Sequence, residues 1–232
     1  MQRLFNKKGM QMHGNKTIVR LTLGATFALF GIANAQADYE PNDNYSTFVL
    51  SYQQSNFADP ICIGAECHEG VAGPAAFFAR QIMPNLALGL SGSYLQSNGS
   101  SSSIKSTNGS VFVQGIAGLN SSVDVGASVA ALRTTMELCA TSPSTCASSS
   151  DSGTDLGIFG KVFLNDAKSL NATLSYDTIN FDKAPDKAIV ALSFVAVLAR
   201  RHRLALSFNK TMDSGGKQVS DGYSFGYSYM VF

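Results

Sequence analysis

Charge is scarce in this sequence: 14% of its 232 residues are Asp, Glu, Lys or Arg. Helical periodicity is missing after the first 37 residues, and so is any apolar run near the ~20 residues a membrane-crossing helix needs. There is no Gly-rich phosphate loop, no Cys-x-x-Cys and no cluster of metal-ligand residues. Histidine occurs three times, as His13, His68 and His202. A serine nucleophile needs an imidazole within hydrogen-bond reach. His13 falls in the leader described below, His68 in an expected loop and His202 in an expected turn, so no serine has an evident base. His68 beside Cys67 is a single imidazole, too little for a metal site. Asp155, Asp177 and Asp182 could approach one another at a rim, where solvated acids are the simpler reading. These absences speak against an enzyme and against any cofactor or metal.

What is there begins with a leader. "MQRLFNKKGMQMHGNKTIVR" has five basic residues and no acid, and "LTLGATFALFGIA" and "NAQA" follow it. A basic start, a short apolar run and small residues at A-x-A positions make a secretory signal peptide over residues 1–37. The remaining 38–232 form one domain of ordinary size. They carry twelve basic against sixteen acidic residues, a net charge of −4, which speaks against a nucleic-acid partner. All four cysteines lie there, in "CIGAEC" and "CATSPSTC". In an exported chain an even count reads as disulfides, and local pairing, Cys62–Cys67 and Cys139–Cys146, is the simplest of three connectivities.

Period-two alternation fills the rest. Leu86, Leu88, Leu90 and Tyr94 alternate with Ala87, Gly89, Ser91 and Ser93. Val123, Val125 and Val129 alternate with Asp124, Gly126 and Ser128, and Leu170, Leu174 and Tyr176 with Asn171, Ser175 and Asp177. At the end, Tyr223, Phe225, Tyr227 and Tyr229 alternate with Ser224, Gly226 and Ser228. Ten strands are expected, near 44–53, 70–82, 85–95, 109–118, 121–133, 153–164, 169–181, 187–199, 203–211 and 222–232. "AIVALSFVAVLA" is apolar on both faces, so a buried helix fits it as well. Long and short connections alternate along the chain, the pattern of a meander whose two ends meet different surroundings.

An even number of antiparallel strands suits a closed sheet in lipid, where an open edge would leave backbone groups unpaired. Apolar and aromatic residues opposite Ser, Gly, Ala and Asn invert the polarity of a soluble barrel. The expected fold is therefore all-β: a closed, antiparallel, up-and-down transmembrane barrel of ten strands, with eight as the alternative. Here the chain resembles the bacterial outer-membrane β-barrel class, over its leader and whole mature length, in architecture and without a family-specific motif. The resemblance implies outer-membrane lipid and the barrel assembly machinery as partners. It also implies short turns and both termini at the periplasm, and long cysteine-bearing loops outside. Such proteins end in a strand whose terminal Phe is read during assembly. Phe232 and Met230 fit that phase, and a bulge near Met230–Val231 would reconcile it with the aromatics one residue out of register.

Lys161, Asp177 and Asp124 are the charged residues expected to face the lumen and to set selectivity in a channel. Small inward side chains would leave room for water, whereas Phe112, Phe159 and Phe163, if inward, would plug it. The expectation is a small pore or porin-like protein with disulfide-stapled external loops. The alternative is a non-conducting scaffold for adhesion or recognition, and a membrane-embedded hydrolase comes third.

Overall fold

The computed structural model describes residues 41–141, 144–199 and 201–231. The leader and Phe232 lie outside the described residues. Ten strands follow one another: β1 (Thr47–Ile63), β2 (Glu66–Met83), β3 (Leu86–Asn98), β4 (Ser102–Asn120), β5 (Val123–Thr141), β6 (Ser144–Phe163), β7 (Leu170–Phe181), β8 (Lys187–Ala199), β9 (His202–Asp213) and β10 (Gln218–Met230). Each pairs antiparallel with its neighbours in sequence, and β1 pairs with β10 from Thr47↔Met230 to Phe57↔Ser220, closing the barrel. The ten-strand expectation holds. β8, where a helix would also have fitted, pairs with β7 on one side and β9 on the other. The barrel therefore has a terminal end, carrying residues 41–46 and Val231, and an opposite, hairpin end.

Toward the terminal end the faces sort as the alternation predicts. Phe48, Leu50 and Tyr52 on β1, Leu88 and Leu90 on β3, and Tyr223, Phe225 and Tyr227 on β10 are exposed on the outside. Ala87 and Asp124 are fully buried inside. On β3 the apolar band runs from Leu86 to Tyr94. At ~3.3 Å per residue and ~40° of tilt it is roughly 20 Å tall, close to the apolar height of membrane barrels. Inward hydroxyls pair across the strands, Ser91 Oγ with Ser110 Oγ at 2.8 Å and Ser193 Oγ with Ser207 Oγ at 2.8 Å. These bonds satisfy polar groups on a face that lipid never meets.

The long connections at the hairpin end are a correction. Where loops were expected at residues 54–69, 96–108 and 134–152, the strands continue. β1 runs to Ile63 and β2 resumes at Glu66, across a turn in which Gly64 takes φ +65°. β4, β5 and β6 have 19, 19 and 20 residues, against 12 or 13 in β7 to β10. With 17 and 18 residues in β1 and β2, the wall is thus tall along β1–β6, where the 13-residue β3 reaches the tip through Asn98↔Ser103, and low along β7–β10. Nor do the tall hairpins lack a core. Val71, Leu95 and Ile104 are buried on their inner side, with Phe57, Ile61, Ile63, Met136 and Leu138 packed against them.

Both disulfides sit here as expected, Cys62–Cys67 and Cys139–Cys146. Each joins directly opposed residues of one hairpin, Cys62↔Cys67 and Cys139↔Cys146. They clamp strand ends rather than close irregular loops.

Candidate functional site

The terminal mouth is occupied by the chain itself. Residues 42–46 run from the start of the described chain into β1, across the inner face of the barrel. The Asn42 amide donates to Asp124 Oδ1 at 2.9 Å, its side-chain amide to the same oxygen at 2.8 Å, and the Tyr45 hydroxyl to Asp124 Oδ2 at 2.9 Å. Arg203 donates both terminal nitrogens to Asp43, at 2.6 and 2.9 Å, and Lys161 Nζ lies 3.2 Å from Asp43. Lys161 also stands 4.0 Å above the centre of the Tyr45 ring, which packs beside Ala87, Ile116 and Phe159. From the β6–β7 connection, Lys168 Nζ donates to Asn42 at 2.9 Å. Burial raises the Asp43 carboxyl, but the Lys161 and Arg203 cations outweigh it and hold the group below its ordinary value.

Two of the three expected lumen charges, Lys161 and Asp124, are therefore engaged by this segment. The third, Asp177, lies deeper, where Ser175 Oγ donates to it at 3.2 Å. Above the segment a cavity of about 400 Å³ is bounded by Tyr45, Phe77, Phe159, Ser128 and Asp177 among others. A second cavity, of about 640 Å³, continues toward the hairpin end past Phe77, Asp155 and Lys187. Phe159 and Phe163 face inward as expected, and so does Phe112, stacked at 5.1 Å on Phe77. The small inward residues leave less open volume than their size suggests. Phe112 lies over Gly89 and Phe159 over Gly126, each filling the space a neighbouring Cβ would take. Asp155 joins Asp177 in the lumen, whereas Asp182 lies in the β7–β8 connection, its amide bonded to Ser152 O at 2.9 Å.

The structure overturns the placement of two histidines, His202 at the terminal end and His68 at the hairpin end. His202 opens β9, bonded through Nδ1 to the Tyr227 hydroxyl on the outer face. His68 is on β2 and buried, with Ser97 Oγ 2.8 Å from Nδ1 and Ser102 Oγ 2.8 Å from Nε2. The Ser102 hydroxyl donates in turn to Glu66, which also accepts from the amides of Ser100 and Ser101 at 2.6 and 3.0 Å. A serine does lie within hydrogen-bond reach of a histidine here, contrary to expectation, but Ser102 gives its one proton to Glu66, so His68 Nε2 donates to it and is not its base. The arrangement is a tie between the β1–β2 and β3–β4 tips. Ser102 is buried, and the Ser100 and Ser101 amides, which could otherwise steady an oxyanion, point at Glu66. Both imidazole nitrogens are taken by hydroxyls, so neither is presented to a metal. Glu137 lies beside Cys139 and Cys146, but sulfurs bonded to each other offer no thiolate. Sequence reasoning missed His68 because the apolar alternation on β2 stops before it.

Met230 lies on the inner face, against Arg203, and the β1–β10 register runs unbroken through it. Among the described residues no bulge shifts the last strand near Met230; its irregularity against β9 lies at the other end, between Gln218 and Ser220. Tyr223, Phe225 and Tyr227 face outward and Ser228 inward, 6% exposed.

A closed antiparallel barrel with an apolar outer belt and a polar interior defines the class of membrane β-barrels. No family model matches the chain, and no curated protein matches it. Solved structures do. The attachment invasion locus protein Ail of Yersinia pestis is 11% identical, covering 82% of this chain and 99% of that one, at a TM-score of 0.43. The translocator domain of autotransporter NalP from Neisseria meningitidis is 12% identical, covering 93% and 97%, at 0.49. The outer membrane protease OmpT from Escherichia coli is 9% identical, covering 80% and 94%, at 0.42. Three differently named proteins share the barrel, and a fold alone assigns none of their functions to this chain.

Proposed function

We propose that this chain is an integral barrel of a bacterial outer membrane that keeps its lumen shut and displays the tall β1–β6 hairpins for surface recognition. Its termini then lie at the periplasm and the disulfide-clamped hairpins outside. The leader-like start, the lipid-compatible belt and the resemblance to outer-membrane barrels support the location. The observation that carries the closed lumen is the seating of residues 42–46, fastened to Asp124, Lys161 and Arg203 across the terminal mouth. A pore needs a continuous wet path, and here the charges that would line its narrow end bind the chain instead.

Single-channel recording in a planar bilayer tests this. The full chain is expected to show no steps. Steady steps from the full chain would replace this function with the porin-like one. The stacked cavities of about 400 and 640 Å³ favour a gated version of that pore, in which only a chain lacking residues 41–46 would conduct. A barrel of this kind also resists SDS until boiled, so equal mobility before and after boiling would remove the membrane assignment.

A further inference from the structure

Where the low wall stops, two tall strands lose a neighbour. β1 pairs with β10 only as far as Phe57↔Ser220, and β6 pairs with β7 only as far as Gly153↔Phe181. Unpaired strand edges recruit other strands unless something blunts them. The β1 edge is blunted. Its register with β2 breaks between Asn56 and Ile61, Pro60 falls within the break, and Asp59 is paired with Lys217 at 2.8 Å.

The β6 edge has no such protection. Residues 144–152, "STCASSSDS", contain no Pro, Lys or Arg, and Asp151 is the one charge. Their register with β5 is unbroken from Thr141↔Ser144 to Val123↔Val162, and residues 144–149 are exposed. Alternate residues of a strand turn both backbone groups to the same side. Asp182 N donates to Ser152 O, and Lys183 Nζ reaches Ser150 O at 3.5 Å, so the even-numbered residues face away from β5. Above that cover, Cys146 and Ser148 turn their N–H and C=O to the open side, with no partner among the described residues. The Cys139–Cys146 disulfide fastens the edge strand to β5, which lowers the ordering cost of an added strand.

We propose that the β6 edge over residues 144–149 takes up an extended, uncharged segment of another protein as an added β-strand. Backbone hydrogen bonds would give affinity and alternate side chains selectivity. The occupant is uncharged because the charges around the edge are already engaged: Lys105 and Glu137 pair at 2.9 Å, Asp151 accepts from the Lys183 and Ala184 amides, and Lys183 Nζ lies on Ser150 O. A second copy fits poorly. Two barrels standing in one bilayer are related by rotation about its normal, and strands tilted ~40° would then cross instead of pairing. Display outside the cell rests on the function proposed above; the edge itself does not.

Amide hydrogen exchange on the purified full chain in detergent micelles tests the edge without reference to orientation or conduction. The probe is a capped heptapeptide alternating Thr and Val at millimolar concentration. Without peptide, the Cys146 and Ser148 amides should exchange fast while Ala147 and Ser149 exchange slowly. With peptide, Cys146 and Ser148 should slow tenfold or more. In Ser148→Pro, which removes an N–H pointing away from β5, the Cys146 protection should vanish while Ala147 stays slow. A peptide N-methylated at every residue, with neither edge able to donate, should protect nothing. Slow Cys146 and Ser148 amides without peptide, no slowing with it, or equal slowing of Cys146 in Ser148→Pro would overturn the proposal. If instead protection depends on protein concentration and not on peptide, the occupant is a second copy and the proposal is wrong.

Discussion

The terminal half of the barrel and the hairpin half are built from the same strands with opposite polarity. On β5 the outward residues toward the terminal end are Val123, Val125 and Val129, and the inward ones include Asp124, Gly126 and Ser128. Further up the same strand the outward residues are Arg133, Thr135 and Glu137, and the inward ones Leu132, Met136 and Leu138. Below, the outside is apolar and the inside carries ion pairs; above, the inside holds a core and the outside is hydroxyl and charge. A strand with lipid on its outer face and one with water on it must invert in this way, because the apolar side always turns from water. The level at which β5 inverts, between Val129 and Arg133, is the level at which the surroundings change.

The comparison can be broken most severely at the terminal mouth. Asp43→Ala leaves Lys161 and Arg203 buried without their carboxylate, and should cost about 3–5 kcal/mol. It would be read as loss of exchange protection at the Asn42 amide. Acid should act the same way. The folded Asp43 pKa lies below its ordinary 3.8, so its contribution is complete above that pH and is lost only as pH falls through the lower folded value. Release of residues 42–46 already at pH 5 would contradict the network. In the hairpin half, Ile104→Ala empties the fully buried centre of the cluster and should cost about 2–5 kcal/mol. Faster exchange confined to the upper parts of β2–β5 would report it, and a neutral result would mean the tall hairpins have no core.

Lysine substitutions sharpen the boundary. Leu90→Lys places a charge at mid-belt and should destabilise the folded barrel by about 2–4 kcal/mol. Thr107→Lys, on the outer face nearer the hairpin end, should cost less than about 1 kcal/mol. Urea titration in lipid vesicles measures both, and equal costs would erase the distinction between the halves. A small effect should also come from reducing Cys139–Cys146. The bridge joins strands already paired over the whole hairpin, so about 2 kcal/mol or less is at stake.

Much of the terminal half was legible in the sequence. A single phase of alternation, as in Leu86, Leu88 and Leu90, gives both the strand and its lipid-facing side. The hairpin half was not legible, because inversion moves the apolar residues of β5 from odd positions, Val125 and Val129, to even ones, Leu132, Met136 and Leu138. A phase shift without a break in the strand looks like the end of the strand. The expected loops were in fact strands whose outer face meets water. The segment over the terminal mouth, "NDNYS", has no periodicity at all, and its partners outside the segment lie 35 to 185 residues away in sequence. Lys161 and Asp124 were recognisable as inward-facing charges, but nothing local shows that they bind the chain's own start instead of lining a channel.

The inversion itself is open to direct measurement. Single-cysteine spin labels at Val125, Val129, Arg133 and Glu137, introduced one at a time in vesicle-reconstituted protein, would compare access by oxygen from lipid with access by a nickel chelate from water. The native cysteines are bonded to each other and take no label. Oxygen should dominate at Val125 and Val129 and the nickel chelate at Arg133 and Glu137. Lipid-like access at all four sites, or water-like access at all four, would contradict a membrane boundary at the polarity switch.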